Sequence, residues 1–294
     1  MKLPMKHYKL GQFHIAVDIP GIKDDNYSIL FRHDDLSTEP DILFRAVPMD
    51  IDTFRQLVPI KRTGGYELLM IRDELFLMNH WATLRFGYGF YLKDLHSNSA
   101  IPVYCNQLLN SQYTLQVSHL LSTVGLHSKL LQFRFPTIHA SYIDYQGQAI
   151  LFTAPAQTGK STQASLWQNY MGAEIINGDR ALLGIKDGSL HAFGHPCCGS
   201  SYYCINRTLP VRAIVVLEQG PINEIQPLSV SQKLRALASA IALYPWDNQE
   251  VDWVFSAAEE IISQVPVIKL RCRPDKDAVF CLNDYLEEVH HDNF

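Results

Sequence analysis

The chain has 294 residues, 47% apolar and 19% charged, which is enough apolar content for one large core or two ordinary ones and excludes a disordered chain. Its formal net charge of −5 argues against a general binder of nucleic-acid polymers or anionic membranes. No apolar run is long enough to span a membrane, and the N-terminus MKLPMKHYKLGQFHI lacks the apolar core of a secretion signal, so a cytoplasmic location is expected.

In chain order, residues 1–135 read as a strand-rich α+β region. Tyr27–Arg32, Tyr66–Ile71, Glu74–Met78 and Ala82–Phe86 have strand composition, and Arg72-Asp73 sits where a hairpin turn would. The stretch from Gln112 to Arg134 carries apolar residues at helical spacing, with a break expected at Gly125. Nothing in this region is chemically diagnostic, and recognition of a reaction partner is the role left to it. The stretch Trp81–Lys93, aromatic and partly basic, fits core strands better than a binding platform.

From Pro136 onward, residues 136–294 read as a mixed α/β domain. Thr137–Ile143 and Gln148–Thr153 are strands around a Gln146-Gly147 turn, and Glu174–Ile176 is a third. Leu182–Ile185 and Leu190–Phe193 flank Asp187-Gly188, a two-residue hairpin signal. Val211–Leu217 is a continuous apolar run, as a strand buried on both faces requires. Ser229–Leu243, Ser256–Ser263 and Pro274–Val289 are helical, and Val267–Leu270 is a strand. The hairpins exclude a simple doubly wound sheet.

The chemistry concentrates at Ala154-Pro-Ala-Gln-Thr-Gly-Lys-Ser-Thr162, between a strand and a helix. Successive backbone N–H groups in such a loop curl around phosphate oxygens, and the helix N-terminus adds positive potential. Ala156, Gln157, Thr158, Gly159, Lys160, Ser161 and Thr162 are therefore the candidate nucleotide-binding residues. Lys160 would neutralise the β- and γ-phosphates, and the Ser161 hydroxyl would ligate Mg²⁺. The first glycine of the usual GxxxxGK[ST] pattern is replaced by Ala154.

Phosphoryl transfer also needs a carboxylate, for the metal or for the acceptor's proton. Asp179, just past the strand Glu174–Ile176, is the candidate; a plain turn residue is the alternative. His139 interrupts an otherwise apolar strand, either as a core histidine or as a group at the loop mouth. The six cysteines, Cys105, Cys197, Cys198, Cys204, Cys272 and Cys281, are expected as free thiols; Cys197-Cys198 with Cys204 lacks zinc-knuckle spacing.

His139 upstream, Gly159–Thr162, Asn177-Gly-Asp-Arg180, Gly194-His-Pro196 and Asn206-Arg207 together resemble the HPr kinase/phosphorylase and phosphoenolpyruvate carboxykinase superfamily, over roughly residues 137–294. The closest likeness is to its kinase-like branch associated with peptide modification. That resemblance implies a carboxykinase-like C-terminal kinase domain, ATP and Mg²⁺, and transfer of the γ-phosphate to a hydroxyl. The acceptor it implies is a Ser or Thr of a peptide or small protein. It implies Asp179 as metal ligand or base, His139 as its helper or a metal contact, and Arg180 and Arg207 as weaker phosphate-steadying groups. Pro196–Ser201 would be a substrate loop. The family's HPr kinases carry two adjacent acids, whereas here the first position is Gly178, and their HPr-recognition signature is absent. A nucleotide-sensing or peptide-binding module with little turnover, and a small-molecule kinase, are the alternatives. A homo-oligomer is compatible with all of them.

Overall fold

The computed structural model describes residues 5–35, 37–48, 58–63, 66–71, 74–80, 87–97, 100–105, 116–244 and 247–291. The Arg72-Asp73 turn, the Ala82–Phe86 strand and the start of the 112–134 helical stretch lie outside them. The chain divides into two compact units, Met1–Lys129 and Leu130–Phe294.

The first unit is built on β1 (Lys6–Leu10), β2 (Phe13–Asp18), β3 (Ile42–Pro48), β4 (Val58–Thr63), β5 (Tyr66–Ile71), β6 (Glu74–His80), β7 (Gly87–Tyr91), α1 (Leu92–Ser97), β8 (Ala100–Cys105), α2 (Val117–Thr123) and the start of α3 (Leu126–Gln132). Its strands form one sheet in the order β1-β2-β3-β8-β7-β6-β5-β4, with β3 parallel to both β2 and β8. The break between α2 and α3 falls at Gly125, which has φ 75° and no room for a side chain: a Cβ would stand 2.7 Å from Leu95 Cδ1.

One expected strand is corrected here. Tyr27–Arg32 is not extended; Ser28–Phe31 forms a 3-10 turn. Asp25 Oδ1 accepts the backbone N–H groups of Tyr27 and Ser28, both at 3.0 Å. This local carboxylate-to-backbone bonding outcompetes a ladder whose apolar composition favours a strand.

The second unit contains β9 (Thr137–Tyr145), β10 (Gln148–Thr153), α4 (Lys160–Met171), β11 (Glu174–Asn177), β12 (Arg180–Lys186), β13 (Ser189–Phe193), β14 (Thr208–Gln219), β15 (Glu224–Gln226), α5 (Val230–Ala240), α6 (Asn248–Gln264), β16 (Val267–Cys272) and α7 (Lys276–His291). It is mixed α/β. Strands β9, β12, β13, β14 and β10 close into a ring, because β10 pairs with β9 on one side and runs parallel to β14 on the other. Strand β16 then adds in parallel to β14, and β11 adds to β9. The Gln146-Gly147 and Asp187-Gly188 turns both carry two consecutive positive φ angles, the geometry that two-residue hairpins with right-handed strand twist require. Helix α6 begins at Asn248, earlier than its apolar periodicity suggests, because Asp247 caps it by accepting from the backbone of Gln249.

Strand β10 is buried on both faces. Ile150 and Phe152 pack with Trp167 of α4 and with Val279 and Leu282 of α7. Ala149 and Leu151 pack with Leu237 of α5 and Val254 and Ile261 of α6. The 154–159 loop thus leaves the end of a strand buried between two helix layers.

Candidate active site

Gly159 opens α4 with φ 111°, a left-handed conformation that glycine adopts without strain, and Gln157 also has positive φ, 64°. The loop from Ala154 to Gly159 therefore curls tightly back onto the helix N-terminus. Lys160 is largely buried, and its Nζ donates to the carbonyls of Ala154 at 3.0 Å and Pro155 at 3.4 Å. Burial lowers the Lys160 pKa, and the nearby Asp179 charge opposes that shift.

Two strands bring the other groups to this loop. In β9–β12 pairing, Arg180 stands opposite His139. His139 is exposed, although most of β9 is buried. Its Nε2 lies 2.9 Å from Asp179 Oδ1, and Arg180 Nε donates to Asp179 Oδ2 at 3.4 Å. The Asp179 carboxyl is pushed up by burial, but the His139 hydrogen bond and charge, with the Arg180 guanidinium, outweigh this and hold it below its ordinary value. An acid with a depressed native pKa stabilises the fold fully above its unfolded value near 3.8 and loses that contribution as pH falls through the native value. The urea-unfolding advantage of the natural protein over Asp179→Asn is therefore expected to persist down to about pH 5 and to shrink below about pH 4.

The backbone that presents Asp179 is pinned from both sides. Asn177, fully buried, accepts the N–H groups of Asp179 and Arg180 on Oδ1, both at 2.9 Å. Its amide donates to the carbonyls of His195 (2.8 Å) and Cys197 (3.1 Å), tying the 195–201 loop to the same turn. Ser141 Oγ donates to Gly178 O at 3.0 Å, and Ala140 N donates to Asp179 O at 3.0 Å.

Gly178 has a steric reason to be glycine. A Cβ there would stand 2.2 Å from Ser201 Oγ and 2.3 Å from Ser201 Cβ. Ser201 cannot swing aside freely, since its hydroxyl donates to Cys198 O at 2.7 Å. The space of a second acid is filled by the 196–201 loop. Gly178→Ala is expected to destabilise the protein by about 1–3 kcal/mol in urea unfolding, as overpacking does, and Ser201→Gly in the same chain should recover most of the loss.

The loop, His139 and Asp179 share one cavity of about 390 Å³, lined by His139, Ala156, Gln157, Gly159, Lys160, Ser161, Thr162, Gly178, Asp179, Cys198, Ser200 and Ser201. Of the residues singled out in the sequence, Thr158 lies in the wall of a neighbouring cavity instead, and Arg180 lines neither. Arg207 is not among the lining residues of either; it pairs with Asp144 at 2.9 Å and with Glu174. The six cysteines are free thiols. Among the described residues no helix is long and apolar enough to cross a membrane. Asn177 and Ser201 carry structural work that the sequence reading left unassigned. An Asn two residues before the acid, followed by Gly, is an Asx-turn pattern and was the available signal for the first. No local signal marks the second.

The chain matches no protein-family model and no curated protein. Solved structures it resembles include the Hpr(Ser) kinase/phosphatase from Coxiella burnetii, at 12% identity and a TM-score of 0.24, covering 43% of this chain and 91% of that one. That likeness is too slight to bear on function, which rests on the residues of the cavity.

Proposed function

We propose that the second unit is a carboxykinase-like kinase domain that transfers the γ-phosphate of ATP to a hydroxyl, most naturally a Ser or Thr of a peptide or small protein. The observation that carries this reading is the exposed His139 imidazole hydrogen-bonded to Asp179 in the same cavity as Lys160, Ser161 and the loop amides. Phosphate-loop residues alone would imply only a bound anion. A carboxylate–imidazole pair beside them supplies a place for a proton.

In the proposed step the loop N–H groups and Lys160 hold the phosphates. The acceptor hydroxyl forms a bond to the γ-phosphorus while the bond from that phosphorus to the bridging oxygen breaks. The hydroxyl proton passes to the Asp179–His139 pair, and ADP leaves. Positioning and charge stabilisation supply most of the rate in such chemistry. The Ser161 hydroxyl and the Asp179 carboxylate are hard oxygen donors on one cavity and would hold Mg²⁺, which would supply positive charge against the phosphates. His139 is the poorer ligand for it, since its Nε2 is engaged by Asp179, so we assign it to the proton. Arg180 steadies Asp179.

Gly178 favours a second reading, a nucleotide-binding module with little turnover, because only one of the two family acids is present. Incubation with γ-labelled ATP, Mg²⁺ and either a pool of Ser- and Thr-containing peptides or free serine separates the readings. Label in peptides is expected. Label on free serine alone would make the protein a small-molecule kinase, and bound ATP with no label transferred and none released as phosphate would leave the binding module.

A further inference from the structure

Among the described residues, four hydroxyl side chains line the cavity of about 390 Å³: Ser161, Thr162, Ser200 and Ser201. Ser161 and Thr162 stand in the first turn of α4, on the side that would hold the nucleotide. Ser200 and Ser201 come from the 195–201 loop, which ends in a tight turn. Ser201 N donates to Cys198 O at 3.3 Å, which makes Gly199 and Ser200 the two central residues. Gly199 has φ 58°, the left-handed value that mirror-image turns need at their first central position. The entry to the turn is fixed, because Cys197 O accepts from the buried Asn177 amide at 3.1 Å. Ser200 therefore stands at the tip of an anchored turn.

Gly199 measures how close this turn lies to the chemistry. A Cβ built there would stand 2.9 Å from Asp179 Cγ and 3.1 Å from Asp179 Oδ1. The backbone next to Ser200 thus rests against the carboxylate assigned to the acceptor's proton. The two loop serines differ in freedom. Ser201 is wedged over Gly178, and its hydroxyl donates to Cys198 O at 2.7 Å. Ser200 is exposed while lining the same cavity.

We propose that Ser200 is a phosphorylation site within the chain, taking the γ-phosphate of ATP bound in its own cavity. The inference rests on the kinase reading above and adds an acceptor that the protein carries itself. Ser200 Oγ forms a bond to the γ-phosphorus while the bond from that phosphorus to the bridging oxygen breaks. The hydroxyl proton passes to the Asp179–His139 pair, and ADP leaves. A hydroxyl on a turn anchored inside the site is presented at high effective concentration, so no docking of a second molecule is needed.

Two measurements on the whole chain test it. With γ-labelled ATP and Mg²⁺ and no peptide, the protein should take up a single phosphate per chain, and mass mapping should place it on Ser200. The labelled fraction should grow at a rate independent of protein concentration, as transfer within one molecule requires. Ser200→Thr should keep the label and Ser200→Ala should lose it. The second measurement needs no turnover. Alkylation of the thiol introduced by Ser200→Cys, located by mass mapping, should slow several-fold when saturating inorganic tripolyphosphate with Mg²⁺ occupies the loop. Label on peptides with none on Ser200, label that persists in Ser200→Ala, a rate that rises with protein concentration, or alkylation indifferent to tripolyphosphate would each overturn the acceptor site and leave the kinase reading standing. If neither peptide nor protein is labelled, the kinase reading itself has failed and the acceptor site goes with it.

Discussion

Asp179→Asn is expected to lower phosphoryl transfer by about 10³-fold, within the range that a positioned general base contributes, while ATP still binds. The substitution is nearly isosteric. The backbone at 179 stays fixed by Asn177 Oδ1 and by the Ala140 N–H, so the turn should hold its shape. What disappears is the negative charge that His139 and Arg180 face at 2.9 and 3.4 Å. An amide can neither accept the hydroxyl proton nor stabilise an imidazolium. Label transfer measured against ADP release in the two proteins checks this. A rate within a few-fold of the natural protein would remove Asp179 from the chemistry and leave it a turn residue.

Lys160→Ala is expected to act on both binding and rate, with a loss of about 10²–10³ in transfer from the missing charge on the phosphates. In the structure the ammonium rests on the Ala154 and Pro155 carbonyls. Those contacts are weak competitors for a cation with access to phosphate, so the side chain is placed to move onto a ligand. Without it the two carbonyls lose their donor, so the loop should also loosen. The combination distinguishes this variant from Asp179→Asn: Lys160→Ala should bind ATP weakly even without Mg²⁺, whereas Asp179→Asn should bind metal-free ATP as the natural protein does and still transfer slowly.

The order in which the site could be read follows how local each signal is. Strand, turn, strand, loop and helix from Thr137 to Met171 are encoded within short windows: apolar runs, Gln146-Gly147, and Gly159 ahead of Lys160. His139 stood out because a lone imidazole in an apolar strand breaks a pattern. Its pairing with Asp179 depends on β9 lying antiparallel to β12, a non-local register that no window of sequence contains. Ring closure through β10 and β14 was hidden for the same reason. Arg207 depends on the folded sheet in the same way. Within Asn206-Arg207 it is a weak phosphate candidate with surface ion pairing as the alternative, and its partners Asp144 and Glu174 sit on β9 and β11, which come beside it only in the folded sheet.

Gly178 changed meaning most. From the sequence it is a missing acid. In the structure it is the floor under Ser201, and the loop 195–201 is tied to the same turn through Asn177. The single carboxylate is thus part of a packed arrangement rather than a gap left open. Tyr202, just beyond this loop, has φ 61° and is 78% exposed, a combination for which the structure offers no packing reason.

The most direct measurement is the fate of the γ-phosphate. With ATP, Mg²⁺ and a pool of Ser- and Thr-containing peptides, the natural protein should form ADP together with phosphopeptide in equal amounts, and Asp179→Asn should form neither at a comparable rate. Tight ATP binding with no ADP formed and no phosphate transferred would contradict the account.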